Sequence, residues 1–472
     1  MSVVVDGQII AQFGRAELFT TKQTVTDNNV LEILADVEST HRTNVSEIDY
    51  LYKYMRGYQP ILSRTKEVRP EICNRIVENH ALEIVSFKTG YEFGEPIQYV
   101  RRGEREGTAV KIDKLNQYMN AINKHKADKE LAEWAHIGGN AYRLTLPKAN
   151  NDTPIESYVI DPRTAGIVKS NGFRRQPLLG FIEVTEEDGS LIKYCYSVDR
   201  YYEIVNNRQI RVSKPHTIGH IPLIEYIANS SRLGAFEVVL GMLDALNLMT
   251  SNRLDGIEQF VQSFMKFIDC DITSDDFENL RAMGALKIKS GGDIGRQAIV
   301  DIITSELNQQ QAQIAKDDMY QMILTICGMP DRQGSNRTTG DTGAAVILRD
   351  GWGVAEAKAR ETELMFKASE REFLKIVLRI GNELDNLGLE ITDIDVKFTR
   401  NKTDNLLVKT QGMQNLLEAG IAPRISIATT GLFSDPEQVY QESEPFLKKW
   451  EFMEAEITPA NNKPNNPEGG IE

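Results

Sequence analysis

Histidines, cysteines and clustered carboxylates are the side chains from which catalytic and metal sites are usually built, and here they are sparse. The six histidines stand at 41, 80, 125, 136, 216 and 220, and only His216 and His220 are close together. That pair lies between Pro215 and Pro222, where a regular helix presenting positions i and i+4 on one face is disfavoured. As metal ligands the two would need a third partner. Asp275-Asp276 and Glu186-Glu187-Asp188 carry enough charge for Mg²⁺, yet runs of this kind are commonly solvated faces or helix starts. Cys73, Cys195, Cys270 and Cys327 are far apart with no CxxC, which argues against a zinc site and a disulfide framework and for a reducing, intracellular setting. The patterns GxxxxGK[ST], HExxH, GxSxG and GxGxxG are all missing. The expectation is a protein that is not an enzyme and uses no cofactor.

Cationic groups are the other candidates, as phosphate contacts. Arg101-Arg102 with Arg105, Arg174-Arg175, the trio Lys287, Lys289 and Arg296, and the pair Arg332 and Arg337 are scattered along the chain and form no single stripe. No recognised DNA-reading module accompanies them, so sequence-specific readout is not expected.

The elements that must position these groups follow from periodicity. Asp27 to Tyr54 reads as helix, ended by Gly57, and Ile72 to Val85 as a second that runs out at Gly90. Tyr91 to Tyr99 reads as an irregular edge strand with a bend at Gly94. Lys111 to Ile137 reads as one helix closed by Gly138-Gly139. From there to Ser213, short runs rich in β-branched and aromatic residues alternate with turns, predicting an antiparallel meander with one wet face. Phe236 to Phe267 carries apolar residues at three- and four-residue steps without proline and predicts a helix about 45 Å long. A small insert follows, with a short helix from Asp276 to Met283 and a strand-like ALKIKS. Glu306 to Cys327 predicts a second long helix. Gly328 to Gly343 is a polar loop, and Ala344 to Leu384 a third long helix bent at Gly351-Trp352-Gly353. The strand DIDVKFTRN, shorter helices with a capping box at Ser434 to Glu437, and a Pro/Asn/Gly-rich disordered tail complete the chain.

Composition sets outer bounds. At 472 residues the chain is long enough for two to four structural units. Its 41% hydrophobic and 26% charged residues are ordinary for a globular protein. No run of about 18 apolar residues occurs and the N-terminus lacks the plan of a secretory signal, so neither membrane insertion nor secretion is expected. With 68 acidic against 54 basic side chains the formal charge is −14, which excludes a tight, general binder of nucleic acid.

Particular residues carry a resemblance to a known family. YLYKYMRGYQPIL and the stretch from Arg69 to Tyr99, with Asn79, Gly90, Tyr91, Gly94, Pro96 and Tyr99, come first. GHIPLIEYIAN follows, with Gly219, Pro222, Glu225 and Asn229, then LDALNLMTSNRLDGIEQF with Asp244, Ser251 and Gln259, and DTGAAVILR at Asp341 to Arg349. In this order, from about residue 27 to 455, they resemble the portal proteins of tailed bacteriophages, the head-to-tail connectors, of siphophage type. The loop at 328–343 departs from the family by being rich in Ser, Asn, Thr and Arg.

That resemblance implies a helix-rich α+β portal fold. It would comprise an N-terminal arm (1–26), a wing (27–235), a first stem helix (236–267), a clip (268–305), a second stem helix (306–327) and a tunnel loop (328–343). A bent wing helix with a strand (344–400), a crown (401–455) and a disordered tail (456–472) would complete it. It further implies a ring, generally of twelve subunits, at one capsid vertex of the virion, assembled in the host cytoplasm and perforated by a channel for double-stranded DNA. Its partners would be the terminase, a head-completion adaptor, and the scaffolding and major capsid proteins. The tunnel-loop residues Arg332, Gln333, Ser335, Asn336, Arg337 and Thr338 would touch the duplex without sequence preference. Gln259, Gln262, Gln309, Gln310, Gln313 and Lys316 would line the stem, and Lys287, Lys289 and Arg296 would receive partners on the clip. The rival readings are an α+β metal-dependent nuclease, or another minor phage head protein.

Overall fold

The computed structural model describes residues 3–5, 8–11, 14–102, 107–148, 153–261, 264–268, 270–271, 289–290, 299–303, 309–330, 351–400, 406–430, 432–433 and 439–446. The chain opens with a hairpin of β1 (Val3–Val5) and β2 (Gln8–Ala11), then β3 (Leu18–Thr20). Helix α1 (Val30–Met55) buries Val30, Ile33, Leu34, Val37, Ile48, Leu51 and Tyr54 along one side, the spacing of an amphipathic helix. Gly57, at φ +94°, ends it: the Gly57 amide donates to the Tyr54 carbonyl and the Tyr58 amide to that of Lys53, the paired bonds of a left-handed C-terminal cap. Asn79 then serves two helices. Its Nδ2 donates to the Met55 carbonyl at the end of α1, and its Oδ1 accepts the Leu82 amide at the start of α2 (His80–Glu92).

Helix α2 starts at His80 where Ile72 was expected, residues 73–79 being held off the helix by their bonds to α5, and it runs through Gly90, correcting the expected stop there. Tyr91 is buried against Phe87 and Trp352, and that packing outweighs the roughly 1 kcal/mol that a mid-helix glycine costs. The expected strand shrinks to β4 (Gln98–Arg101), with Gly94 in the bend before it. The single helix expected over 111–137 is two, α3 (Thr108–Ala121) and α4 (Lys124–Gly138). Asn123 parts them at φ +52°, a left-handed conformation that asparagine tolerates.

The expected meander is present from its second run onward, as β7 (Ala165–Ser170), β8 (Pro177–Thr185), β9 (Leu191–Tyr196), β10 (Arg200–Val205) and β11 (Gln209–Pro215), antiparallel in sequence order, while its first run joins another sheet. β3 adds a parallel edge beside β7. β5 (Asn140–Pro147) and β6 (Ile155–Ile160) form a second sheet with β12 (Leu223–Ile227), a strand the sequence reading passed over, in the order β12-β5-β6.

A short 3-10 turn, Glu237–Val239, leads into α5 (Leu240–Val261). The expected helix to Phe267 is therefore shorter. β13 (Phe264–Ile268) pairs antiparallel with β16 (Ile299–Ile303), Phe264 opposite Ile303, and between them β14 (Cys270–Asp271) pairs with β15 (Lys289–Ser290). Phe264 and Phe267 fit the helical step, but pairing with the β-branched run IVDII decides their conformation. α6 (Gln309–Cys327) runs back antiparallel to α5. α7 (Trp352–Asp385) starts at Gly351, φ +79°, so this glycine precedes a helix where a bend inside one was expected. β17 (Ile394–Lys397) pairs with β4, and α8 (Leu406–Glu418) and α9 (Pro423–Thr430) follow. The expected helix at 276–283, the loop at 331–343, the residues 344–350, the capping box at 434–437 and the tail lie outside the described residues.

α1 bridges two cores. Its first half packs Val30, Ile33, Leu34 and Val37 on the six-stranded sheet, against Val168, Phe181 and Tyr202. The second half joins Leu51, Tyr54 and Met55 to Ile84, Leu243, Leu246, Ile323 and Leu324, tying α1 and α2 to the α5–α6 pair. A third core lies among α3, α4, the β12-β5-β6 sheet and α7. At its centre is a buried ionic cluster. Lys124 meets Asp128 at 2.7 Å and Glu370 at 3.1 Å, Arg143 contacts both acids, and Tyr99 and Tyr226 donate to Glu370 at 2.5 and 2.8 Å. Burial alone would raise the Asp128 carboxyl, but Lys124 and Arg143 hold it below the usual range.

Candidate functional site

The α5–α6 pair carries Gln259, Gln309, Gln310, Gln313 and Lys316, and the approach to α5 is fixed first. Gly139 closes α4 at φ +87°, and a Cβ there would stand 2.0 Å from the Arg232 carbonyl oxygen, so only glycine lets the two backbones meet. The Ala235 amide donates to the His136 carbonyl at 2.6 Å, the Gly234 amide to Glu237 at 2.7 Å, and the Arg15 guanidinium pairs with Glu237 at 2.5 Å. Burial raises the Glu237 carboxyl while Arg15 opposes it.

A strap is then laid along α5. Asn247, Ser251 and Asp255 are all buried and sit at i, i+4 and i+8, on one face of a mostly apolar helix. Asn247 Oδ1 accepts the Glu78 amide at 2.8 Å, Ser251 Oγ the Ile76 amide at 3.0 Å, and Asp255 Oδ1 the Asn74 amide at 2.7 Å. Alternate amides of the strap therefore meet every fourth residue of the helix, running in opposite directions. The pitches agree: four helical residues rise about 6.0 Å, and two extended residues about 6.6 Å. Arg64 and Lys66 reach Asp255 at 3.0 and 3.2 Å, and Asn247 Nδ2 donates to Gln59 Oε1 at 2.5 Å. Tyr54 donates to Asp244 at 2.8 Å, and burial raises that carboxyl.

From the strap a charged cluster crosses to α6. Lys316 pairs with Glu78 at 2.5 Å, Thr250 donates to the same carboxylate, and His80 lies between Glu78 at 3.2 Å and Glu83 at 2.8 Å, against the Tyr320 ring. Burial would raise Glu78, yet hydrogen bonds from His80, Lys316 and Thr250 outweigh it and hold its pKa at about 2. Burial likewise disfavours a charged His80, but the two flanking carboxylates lift its pKa to about 9, so it is an imidazolium at neutral pH.

Among the residues expected to line a channel, Gln310 is exposed on α6. Gln313 is half-buried; it accepts from Arg253 of α5 and donates to Asp317 at 2.6 Å. Lys316 is engaged by Glu78. Gln259 and Gln309 lie at the two helix ends next to the insert, and Gln262 falls outside the described residues. Lys289 is on β15 opposite Asp271, while Lys287 and Arg296 are outside the described residues, as are Arg332, Gln333, Ser335, Asn336, Arg337 and Thr338. The face of α6 away from α5 exposes Ile314, Met322 and Ile326, each by about half of its surface (54, 52 and 49%), within an arc of about 120°. Among the described residues no group of three or more His, Cys, Asp or Glu is placed to hold a metal, and His216 Nε2 instead meets the Ser197 carbonyl at 3.0 Å. No helix among them is long and apolar enough to cross a membrane.

The family model described as phage portal protein, SPP1 Gp6-like, matches residues 34–451. The chain belongs to this portal family. No curated protein matches it. A solved structure described as the neck of an empty GTA particle computed with C6 symmetry is similar at 12% identity, over 75% of this chain and 90% of that one, with a TM-score of 0.45. A portal is a head-to-tail connector of a phage particle, a structural component of the virion, and the helix-rich α+β architecture described above is the form the family takes here. The strap on this portal's α5 escaped sequence reading: the resemblance named Ser251 but not its partners. Three polar residues at steps of four on an apolar helix were the signal present in the sequence.

Proposed function

We propose that twelve copies of this portal close into a ring at one capsid vertex, that its bore passes double-stranded DNA during packaging and ejection, and that it nucleates procapsid assembly with scaffolding and major capsid proteins in the host cytoplasm. The observation that carries this reading, beyond family membership, is the antiparallel pair α5–α6, which leaves Ile314, Met322 and Ile326 uncovered on the side away from its own core. A closed ring needs two different faces of each subunit to meet, and an amphipathic helix pair with one unpartnered apolar side supplies one of them. In this reading 236–267 and 306–327 are stem, with α5 and α6 their described helical parts, 268–305 is clip, 328–343 tunnel loop, 27–235 with 344–400 wing, and 401–455 crown.

The bore must pass DNA without gripping it. Each Lys or Arg contact to phosphate adds salt-sensitive affinity, so amides such as Gln259, Gln262, Gln309, Gln310 and Gln313 suit a lining better than a cationic stripe. Lys316, neutralised by Glu78, adds little net charge there. Arg332 and Arg337, repeated by symmetry, become rings of charge that contact the duplex without reading it. The portal carries out no catalysis: ATP hydrolysis belongs to the terminase, which docks on the clip near Lys287, Lys289 and Arg296 and later yields to the head-completion adaptor. Negative-stain microscopy of the purified protein tests the reading, with annular particles expected; monomers or dimers under assembly conditions would refute it. Arg332→Ala with Arg337→Ala should lower DNA retention in intact rings, and unchanged packaged length and yield would count against the clamp.

A further inference from the structure

Strand β8 ends in oppositely charged turns. At its N-terminal end, the β7–β8 turn projects Phe173, which is 103% exposed, with Arg174 and Arg175 beside it. Glu186, Glu187 and Asp188 are exposed at its C-terminal end, in the β8–β9 turn. Nine residues of strand set the two turns about 30 Å apart.

Both turns are pinned. In the basic one the Ser170 amide donates to the Gln176 carbonyl at 2.9 Å, the Arg175 amide to Gly172 at 3.0 Å, and the Asn171 amide to Thr20 of β3 at 2.9 Å. Arg175 also lies over the Phe19 ring, 5.3 Å from its centroid, and 3.6 Å from Glu17. In the acidic one the Glu186 amide donates to the Ser190 carbonyl at 2.9 Å, and Asp188 accepts from the Ser190 amide and hydroxyl at 2.9 and 2.6 Å. Glu186 has one distant partner, Arg211 at 3.8 Å. Exposed aromatic surface beside two cations, held in a fixed turn, is a poor use of solvent-facing sequence unless something covers it.

We propose that the Phe173-Arg174-Arg175 turn docks against the Glu186-Glu187-Asp188 turn of a second copy of this chain, so that successive subunits are joined head to tail along β8. The proposal rests on the ring reading and adds the contact that orients neighbours. Charge complementarity selects the occupant: the chain is acidic overall, yet its exposed aromatic stands with two cations, and three acidic side chains lie at the opposite end of the same strand. A contact from one end of a strand to the other end of its copy is heterologous, the kind that closes a ring, and opposite charges disfavour pairing like turn with like.

Charge reversal tests it. Arg174→Glu with Arg175→Glu makes both turns acidic, and Glu186→Lys with Glu187→Lys makes both basic; all four positions are exposed and the backbone hydrogen bonds that pin the turns do not use their side chains, so the fold should be retained although Arg175→Glu gives up the Phe19 and Glu17 contacts, as circular dichroism would verify. Each reversed protein alone should lose ring yield by about tenfold in native mass spectrometry at low salt. A 1:1 mixture should recover rings containing equal numbers of the two proteins in alternation, and a chain carrying all four changes should form rings by itself. Wild-type yield from either reversed protein alone, or no recovery on mixing, would overturn the proposal. Normal rings with impaired binding of a DNA duplex would overturn it too and assign the turn to nucleic acid. If the wild-type protein forms no rings, the ring reading falls and this contact with it.

Discussion

Release of the strap from α5 offers a graded test of how the long helices are held. Ser251→Ala removes the middle rung and leaves the Ile76 amide, half-buried, without the acceptor 3.0 Å away. An orphaned donor in such a place costs about 1–1.5 kcal/mol, at the low end of the range for buried groups, which raises local opening about five- to thirteenfold. Asp255→Ala removes more: the Asn74 amide at 2.7 Å, the Asn74 side chain at 2.9 Å, and the charges of Arg64 and Lys66. Both cations are partly open to water, which screens their share, so the expected cost is about 2–3 kcal/mol. Asp255→Asn retains an oxygen for the Asn74 amide and gives up the ion pairs, at about 1 kcal/mol. Trypsin reads the effect directly, because the segment from Arg64 to Glu78 offers it cleavage sites after Arg64, Lys66 and Arg75. Under native conditions cleavage there should be fastest in Asp255→Ala, slower in Ser251→Ala, slower again in Asp255→Asn and slowest in the wild type. Equal rates in all four would refute the reasoning that α5 side chains hold this segment.

His80→Gln should remove a pH dependence. The folded-state pKa of His80 is raised from 6.5 to about 9, so its stabilisation is complete below pH 6.5 and disappears as pH rises through 9. Denaturant midpoints should show the wild type losing about 1–2 kcal/mol relative to the variant across that window, after allowance for screening. Parallel curves would contradict the pairing with Glu78 and Glu83. Glu370→Gln should destabilise by about 3–5 kcal/mol, since it strips a carboxylate from beneath Lys124 and Arg143. A thermal midpoint within a degree of wild type would count against that core. Gly139→Ala should lower soluble yield and melting temperature by the equivalent of about 2 kcal/mol or more, because a left-handed backbone and a carbonyl 2.0 Å away both oppose a methyl group. Normal melting would show that the α4–α5 junction is laxer than its geometry.

Much of this fold was legible as periodicity. The helix α1, the strands of the meander and the cores of the two long helices followed from spacing, because each buries one face against a neighbour, although the first run of the expected meander, β6, belongs to the other sheet. Errors fell where long-range contacts decide. Phe264 continues the helical pattern of α5 yet pairs with Ile303, Gly90 stays helical because Tyr91 is stacked, and β12 joins a sheet whose other strands precede it by more than sixty residues. The candidate site was legible in part. A polar α6 signalled its exposed amides, but nothing in the order of residues tells that Lys316 is spent on Glu78, or that Asn247, Ser251 and Asp255 bind a strap 169–181 positions earlier.

The most direct test of the central claim is a cryo-electron microscopy map of the purified, assembled protein at side-chain resolution. It should show a closed ring in which α5 and α6 line a bore wide enough for duplex DNA, with Gln310 and Gln313 toward the bore and Ile314, Met322 and Ile326 covered by the neighbouring subunit. An assembly without a central channel, or rings in which those three apolar side chains face solvent and the helix pair lies at the periphery, would contradict it.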